Sequence, residues 1–207
     1  SFPTRRSSDL PILIAVDSGG DGQFRMLEEP PQITCRPGAA VSMLLHAPSQ
    51  AVTGKPLRCL VSLLDKEHNP VGHGARIAPS IKTGEAELPD EVVIPPGKGY
   101  AEFEVTPQKS GILQLKARTR RYELKTVSNP VRVSTKPAKL NIYWGDLHSH
   151  THFSWDGVGD DQFNYARYAT GLDYYAMTDH AIHPTEEGYT RGLHKYCWDE
   201  YTALNDK

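Results

Sequence analysis

At 207 residues the chain is long enough for one large domain or two small ones, with a buried core in either case. Its 23 basic and 25 acidic side chains nearly balance and form no long run of either sign, which argues against nucleic acid or an anionic membrane as the main partner. No run approaches the roughly eighteen consecutive apolar residues of a membrane-spanning helix.

The first ten residues, SFPTRRSSDL, resemble the translation of a short-read sequencing adapter. Residues 1–10 are therefore set aside as non-native. On that reading the true N-terminus is missing, and the compartment stays open.

From Pro11 to about Thr135 the pattern is all-β. Ile12–Val16 is a short apolar run closed by the loop signal Asp17-Ser-Gly-Gly-Asp-Gly22. Ile33–Cys35, Ala40–His46 and Leu57–Leu64 follow, separated by Pro-, Gly- and Ser-bearing turns. Leu57, Cys59, Val61 and Leu63 alternate with Arg58, Leu60, Ser62 and Leu64, giving that strand one reliably apolar face. Tyr100–Val105 and Ile112–Thr119 also alternate, and Val131 and Val133 close the series. Short strands with regular turn chemistry predict an immunoglobulin-like all-β sandwich over residues 11–137. Its histidines (His46, His68, His73) are scattered singly, and such residues are ordinarily surface or core polar groups. Cys35 and Cys59 pair only if their strands face each other, and reduced buried thiols serve equally well. With Cys197 they give neither a disulfide framework nor a zinc ribbon.

Thr135-Lys-Pro-Ala-Lys139 is a short linker, and the composition changes after it. Leu140–Leu147 reads as a strand. Asp160–Thr170 reads as a helix, with Asp160 capping its start, Gly171 suited to a left-handed stop, and Phe163, Ala166 and Ala169 or Thr170 on its buried stripe. Leu172–Thr178 is a second strand. Strand, helix, strand makes a βαβ unit with a right-handed parallel crossover. Leu193, Cys197, Tyr201 and Leu204 mark one face of a last helix.

The ligand chemistry gathers in this second region. Of the nine histidines in the chain, His148, His150, His152, His180, His183 and His194 all follow residue 147. His148 and His150 are one residue apart, so on a strand both imidazoles point to one face. Asp156 follows in a Gly-bearing loop, where it can supply a hard oxygen, and Thr178-Asp-His180 ends the next strand. Imidazole is the commonest metal ligand near neutral pH. Two strands ending in ligand-type residues predict a metal site at the carboxyl rim of a parallel sheet. Asp146 and Asp179 are expected to accept ring N–H groups from ligating histidines. Trp144, Trp155 and Tyr174 are expected to wall the site or pack beneath it. His152 and His183 stay open as ligands, and His194 is expected at the surface.

Gly145-Asp-Leu-His-Ser-His-Thr151 with Ser154-Trp-Asp-Gly157, followed by Gly171-Leu-Asp-Tyr-Tyr-Ala-Met-Thr-Asp-His180, resembles the first two motifs of the PHP (polymerase and histidinol phosphatase) superfamily. The wording Tyr143-Trp-Gly-Asp-Leu-His148 is similar to that of a bacterial subgroup that carries a β-sandwich before this domain, and Ser128-Asn-Pro-Val131 fits that arrangement. The resemblance implies that residues 138–207 are the first βα units of a truncated, distorted (β/α)7 barrel. It implies His148, His150, Asp156 and His180 as metal ligands, holding two or three divalent ions of zinc, manganese or iron. The implied reaction is phosphoester hydrolysis of a small-molecule substrate. The family's later ligands, a mid-barrel glutamate and histidine and a final Asp-x-His, are not recognisable here, so this polypeptide by itself is expected not to turn over. The alternative is a surface-associated sandwich binding module with a non-catalytic PHP-like tail.

Overall fold

The computed structural model describes residues 9–11, 14–20, 22–23, 25–26, 29, 31–34, 36–151, 154, 162–180, 183–185 and 188–191. Two short ladders come first: β1 (Asp9–Pro11), β2 (Ala15–Val16), β3 (Arg25–Met26) and β4 (Gln32–Thr34), with β1 antiparallel to β4 and β2 to β3. Asp9 and Leu10, which the sequence reading sets aside, pair with Thr34 and Ile33.

The sandwich follows as β5 (Ser42–His46), β6 (Gln50–Val52), β7 (Leu57–Leu64), β8 (Ala75–Thr83), β9 (Ala86–Glu87), β10 (Val92–Ile94), β11 (Tyr100–Pro107), β12 (Gly111–Thr119), β13 (Leu124–Val127) and β14 (Val131–Ser134). One sheet runs in the order β10-β8-β12-β14-β6, with β13 also on β12; the other runs β5-β7-β11-β9. β14 and β6 pair in parallel, while the other sandwich pairs are antiparallel. The inward faces meet through Val61, Leu63, Ile94, Val105, Leu113, Leu115 and Val131, each at most 1% exposed. This is the dry, alternating core that a two-layer sheet requires.

The sequence pattern anticipates β5, β7, β11, β12 and β14 but does not include β8, a strand with Pro79 within it. Pro79 faces Ala117 on β12, while β10 pairs only with Ala75, Arg76 and Ile77. The missing N–H therefore falls where β8 has become an edge, the position in which a sheet tolerates proline. The Ser128-Asn-Pro130 break between β13 and β14 is bridged by Ser128, whose N–H donates to Leu115 O and whose hydroxyl accepts from Leu115 N, both at 3.0 Å. Cys59 is a free, fully buried thiol, so no bridge to Cys35 forms; Cys35 itself lies outside the described residues. Burial pushes the Cys59 thiol up to about 12.

Every residue of β7 except Arg58 is buried, so its outward face is covered as well as its inward one. The cover is a helix whose Gln162–Asn164 turn is α and whose Tyr165–Thr170 part has the wider π geometry. Ser62 Oγ on β7 donates to Tyr168 O at 2.5 Å, satisfying a carbonyl near the helix end. The Tyr100 and Tyr168 rings lie 4.4 Å apart, and Tyr165 OH donates to His68 O at 3.1 Å. Ala166 and Ala169 are buried, and Gly171 ends the helix in the left-handed conformation (φ 73°), as its sequence position predicts. Asp160 lies outside the described residues.

Residues 135–148 between β14 and the site are exposed. Leu140 (83%), Trp144 (65%) and Leu147 (68%) leave apolar surface uncovered, as expected of a sheet with open edges. Among the described residues no helix is long and apolar enough to cross a membrane.

Candidate metal centre

β15 (Gly145–Asp146) and β16 (Tyr174–Tyr175) form the parallel pair expected of the βαβ unit. The regular ladder is shorter than the strands read from sequence, but single hydrogen bonds carry the pairing further. Asp173 N donates to Trp144 O (2.7 Å), Ala176 N to Asp146 O (2.9 Å) and Thr178 N to Ser149 O (2.8 Å). Gly145 permits this approach, since a side chain there would collide with the backbone and ring of Tyr174. Both segments end at the same rim, which brings His148-Ser-His150 beside Thr178-Asp-His180.

At that rim three imidazoles gather. The rings of His148 and His150 lie 4.9 Å apart at 62°, and those of His150 and His180 lie 4.5 Å apart at 60°. His148 Nδ1 is 3.2 Å from Thr178 Oγ1, which accepts from Ser149 N at 3.1 Å. In the tautomer where Nδ1–H donates to Thr178, Nε2 keeps its lone pair for a metal. Nitrogen donors of this kind suit zinc, manganese or iron. Among the described residues, however, no three His, Cys, Asp or Glu side chains have their donor atoms placed to share an ion. The donor set fits a divalent ion in chemistry; the rings are gathered without their nitrogens being converged.

The fourth expected ligand, Asp156, lies outside the described residues, as do His152, Trp155 and His194. His183 opens the strand β17 (His183–Thr185), antiparallel to β18 (Gly188–Arg191).

The two neighbouring carboxylates do something other than expected. Asp179 Oδ1 accepts from Thr151 N (2.6 Å) and Ser154 Oγ (2.7 Å), and its Oδ2 accepts from Thr151 Oγ1 (2.9 Å). Ser154 Oγ in turn accepts from His180 N at 2.7 Å. Asp179 is thus a clasp that ties the loop after His150 to the strand end carrying His180, with Thr151 and Ser154 buried beneath it. Asp146 Oδ1 accepts the backbone N–H of His148 at 2.9 Å and so shapes the turn into the histidine pair. Among the described residues these carboxylates accept from backbone N–H groups and hydroxyls.

Trp144 does not wall the site: its ring is mostly exposed, and Nε1 donates to Ser49 Oγ at the sandwich edge (2.9 Å). Two residues to which the sequence reading gives no role of their own do serve the rim. Tyr175 OH makes a short hydrogen bond to Ser149 Oγ, between the two histidines of the pair, and Thr178 binds both Ser149 and His148. Burial raises the Tyr175 phenol above its ordinary pKa against the lowering effect of the Ser149 bond, with Asp146 and Asp179 adding to the rise, so it stays a neutral donor.

No family model matches the chain, and no curated protein matches it. Among solved structures, the D00-D0 domain of Intimin is similar over 54% of this chain at 14% identity and a TM-score of 0.38. The S-layer protein rSbsC is similar over 57% of this chain and 16% of its own, at 12% identity and a TM-score of 0.37. A superoxide reductase (neelaredoxin) from Ignicoccus hospitalis follows at 15% identity over 46% of this chain and 82% of its own, with a TM-score of 0.34. The chain spans little more than half of the Intimin fragment (56%). Similarity at these scores carries no argument about function.

Proposed function

We propose that the histidine-bearing region is part of a divalent-metal centre for hydrolysis of a small-molecule phosphoester, with His148, His150, Asp156 and His180 as ligands, in line with the resemblance to the PHP superfamily. The observation that supports this is the gathering of three imidazoles at the carboxyl ends of two parallel segments. A bound ion would supply Lewis-acid chemistry, lowering the pKa of a water and neutralising charge on the phosphoryl oxygens. The chain's own residues do the preparation. Thr178, as acceptor for His148 Nδ1–H, would leave Nε2 to the metal, Tyr175 fixes Ser149 between the two histidines, and Asp179 holds the two ligand-bearing segments against each other. The sandwich, which we read as immunoglobulin-like from its two face-to-face sheets, supports the helix of this unit.

Calorimetric titration of the metal-stripped chain with zinc, manganese and iron(II) tests the reading. Stoichiometric binding that disappears when His148, His150 and His180 are replaced together by alanine is expected. Turnover of phosphoesters by this polypeptide alone is not, because the later ligands of the PHP pattern are not recognisable in it. A second reading, a sandwich binding module with a non-catalytic tail, is favoured by the unconverged donor atoms at the rim. Absence of metal binding in that titration would bring it forward.

A further inference from the structure

The outward face of the sheet β5-β7-β11-β9 carries a contact that the metal reading does not use. His46, the last residue of β5, lies across the register from Leu60 and against the end of the helix. A Cβ built on Gly171 would sit 2.6 Å from His46 Cγ and 2.7 Å from Cδ2, so the glycine is needed both for its left-handed φ and for the imidazole packed on it. His46 Nε2 is buried there, with no hydrogen-bond partner among the described residues. An unpartnered ring nitrogen in such a contact is tolerable only while the ring is neutral, because a buried imidazolium needs a charge or an acceptor beside it.

The charged groups on the surrounding elements do not supply one at that atom. Asp173, just past the helix, is the carboxylate whose charge acts on His46, but it makes no hydrogen bond to Nε2, and its Oδ2 accepts from Trp144 N at 2.8 Å. Arg167 on the helix lies over the Tyr168 ring. Arg58 on β7 reaches Glu102 on β11, and Lys125 on β13 faces solvent. Burial lowers the His46 pKa from its ordinary 6.5, and Asp173 opposes this only in part.

We propose that His46 is a proton-controlled latch between the sandwich and the βαβ unit: neutral, it seats Gly171 and helps hold the helix on β7; protonated, it loosens that hold. The sign follows from linkage. The released state binds the proton more readily than the seated one, so docking is complete above the ordinary value of 6.5 and weakens as pH falls through the lower seated value. At pH 5.5 nearly all of an ordinary imidazole is protonated, which sets a ceiling of about tenfold on the loss of docking. The latch does not depend on the metal reading.

The test is hydrogen exchange of the full chain at pH 7.5 and 5.5, expressed as protection factors corrected for intrinsic rates. The reporters are the helix-end amides, including Leu172 N, which donates to Ala166 O. Their protection is expected to fall several-fold at pH 5.5, up to that ceiling, while amides of β7 and β12 in the core hold. His46→Phe, which keeps a ring without a titratable nitrogen, should abolish the pH dependence. NMR titration of the His46 ring in the unaltered chain serves should that variant fail to fold, and its midpoint is expected below 6.5. Equal protection of the helix end at both pH values, an unchanged pH dependence in His46→Phe, or a His46 midpoint at or above the ordinary value would each overturn the proposal.

Discussion

Replacing Asp179 should separate a clasp from a carboxylate that merely borders the site. Asp179→Ala removes the acceptors for Thr151 N, Thr151 Oγ1 and Ser154 Oγ. Thr151 is 0% exposed and Ser154 3%, so water cannot easily take over. A hydrogen bond to a charged group contributes about 1.5–3 kcal/mol, and the three share one carboxylate, so their losses overlap. We expect a total of about 3–4 kcal/mol, on the order of a third of a small domain's whole stability. Asp179→Asn should cost only about 1 kcal/mol, because its remaining oxygen can accept from Thr151 N while its amide donates to the threonine hydroxyl. The assay is urea unfolding combined with residue-resolved hydrogen exchange. Exchange at Ser149–Thr151 and Thr178–His180 should accelerate in the alanine variant, with β7 and β12 unchanged. Equal effects of alanine and asparagine, or a loss spread evenly through the sandwich, would refute the argument.

Three further outcomes follow from the sandwich. Leu63→Ala at a 0% exposed position should lower the unfolding free energy by about 3 kcal/mol in a urea titration. Asp65, which caps its turn by accepting from Gly38, Glu67 and Asn69, is pushed upward by burial but held below its ordinary 3.8 by those bonds. Its stabilisation is therefore complete above 3.8 and lost as pH falls through the lowered value, so the gap of about 2 kcal/mol between the parent and Asp65→Asn should close in strong acid. Cys59, buried and held protonated, should resist alkylation at neutral pH and react promptly in denaturant, as read by peptide mass mapping.

The sandwich was legible where burial is one-sided, because a strand with one apolar face writes a period of two into its sequence. β7 shows the limit of that signal. Leu60, Ser62 and Leu64 look like an outward face with some apolar residues, and nothing local says that a helix a hundred residues later will cover them. β8 carries Pro79, whose tolerance depends on how far β10 extends beside it. At the candidate site the histidine spacing points to one rim, and the rings of His148, His150 and His180 lie side by side there. The roles of Asp146 and Asp179 were not readable, because alternation along a strand gives the direction of a side chain but not which donor reaches it first. Backbone and hydroxyl donors in the adjoining turns won over imidazole nitrogens. His46 was equally opaque, since its environment is built by Gly171 from the other unit.

The central claim, that the gathered imidazoles form a metal centre, is tested most directly by cobalt(II) titration of the metal-stripped chain with an optical readout of nitrogen coordination. Cobalt(II) stands in for zinc, and its absorption reports ligand geometry. A saturable spectrum that His148→Ala, His150→Ala and His180→Ala each weaken, and that zinc displaces, is the predicted result. A chain that folds as described yet gives no cobalt spectrum, or one indifferent to all three substitutions, would contradict it.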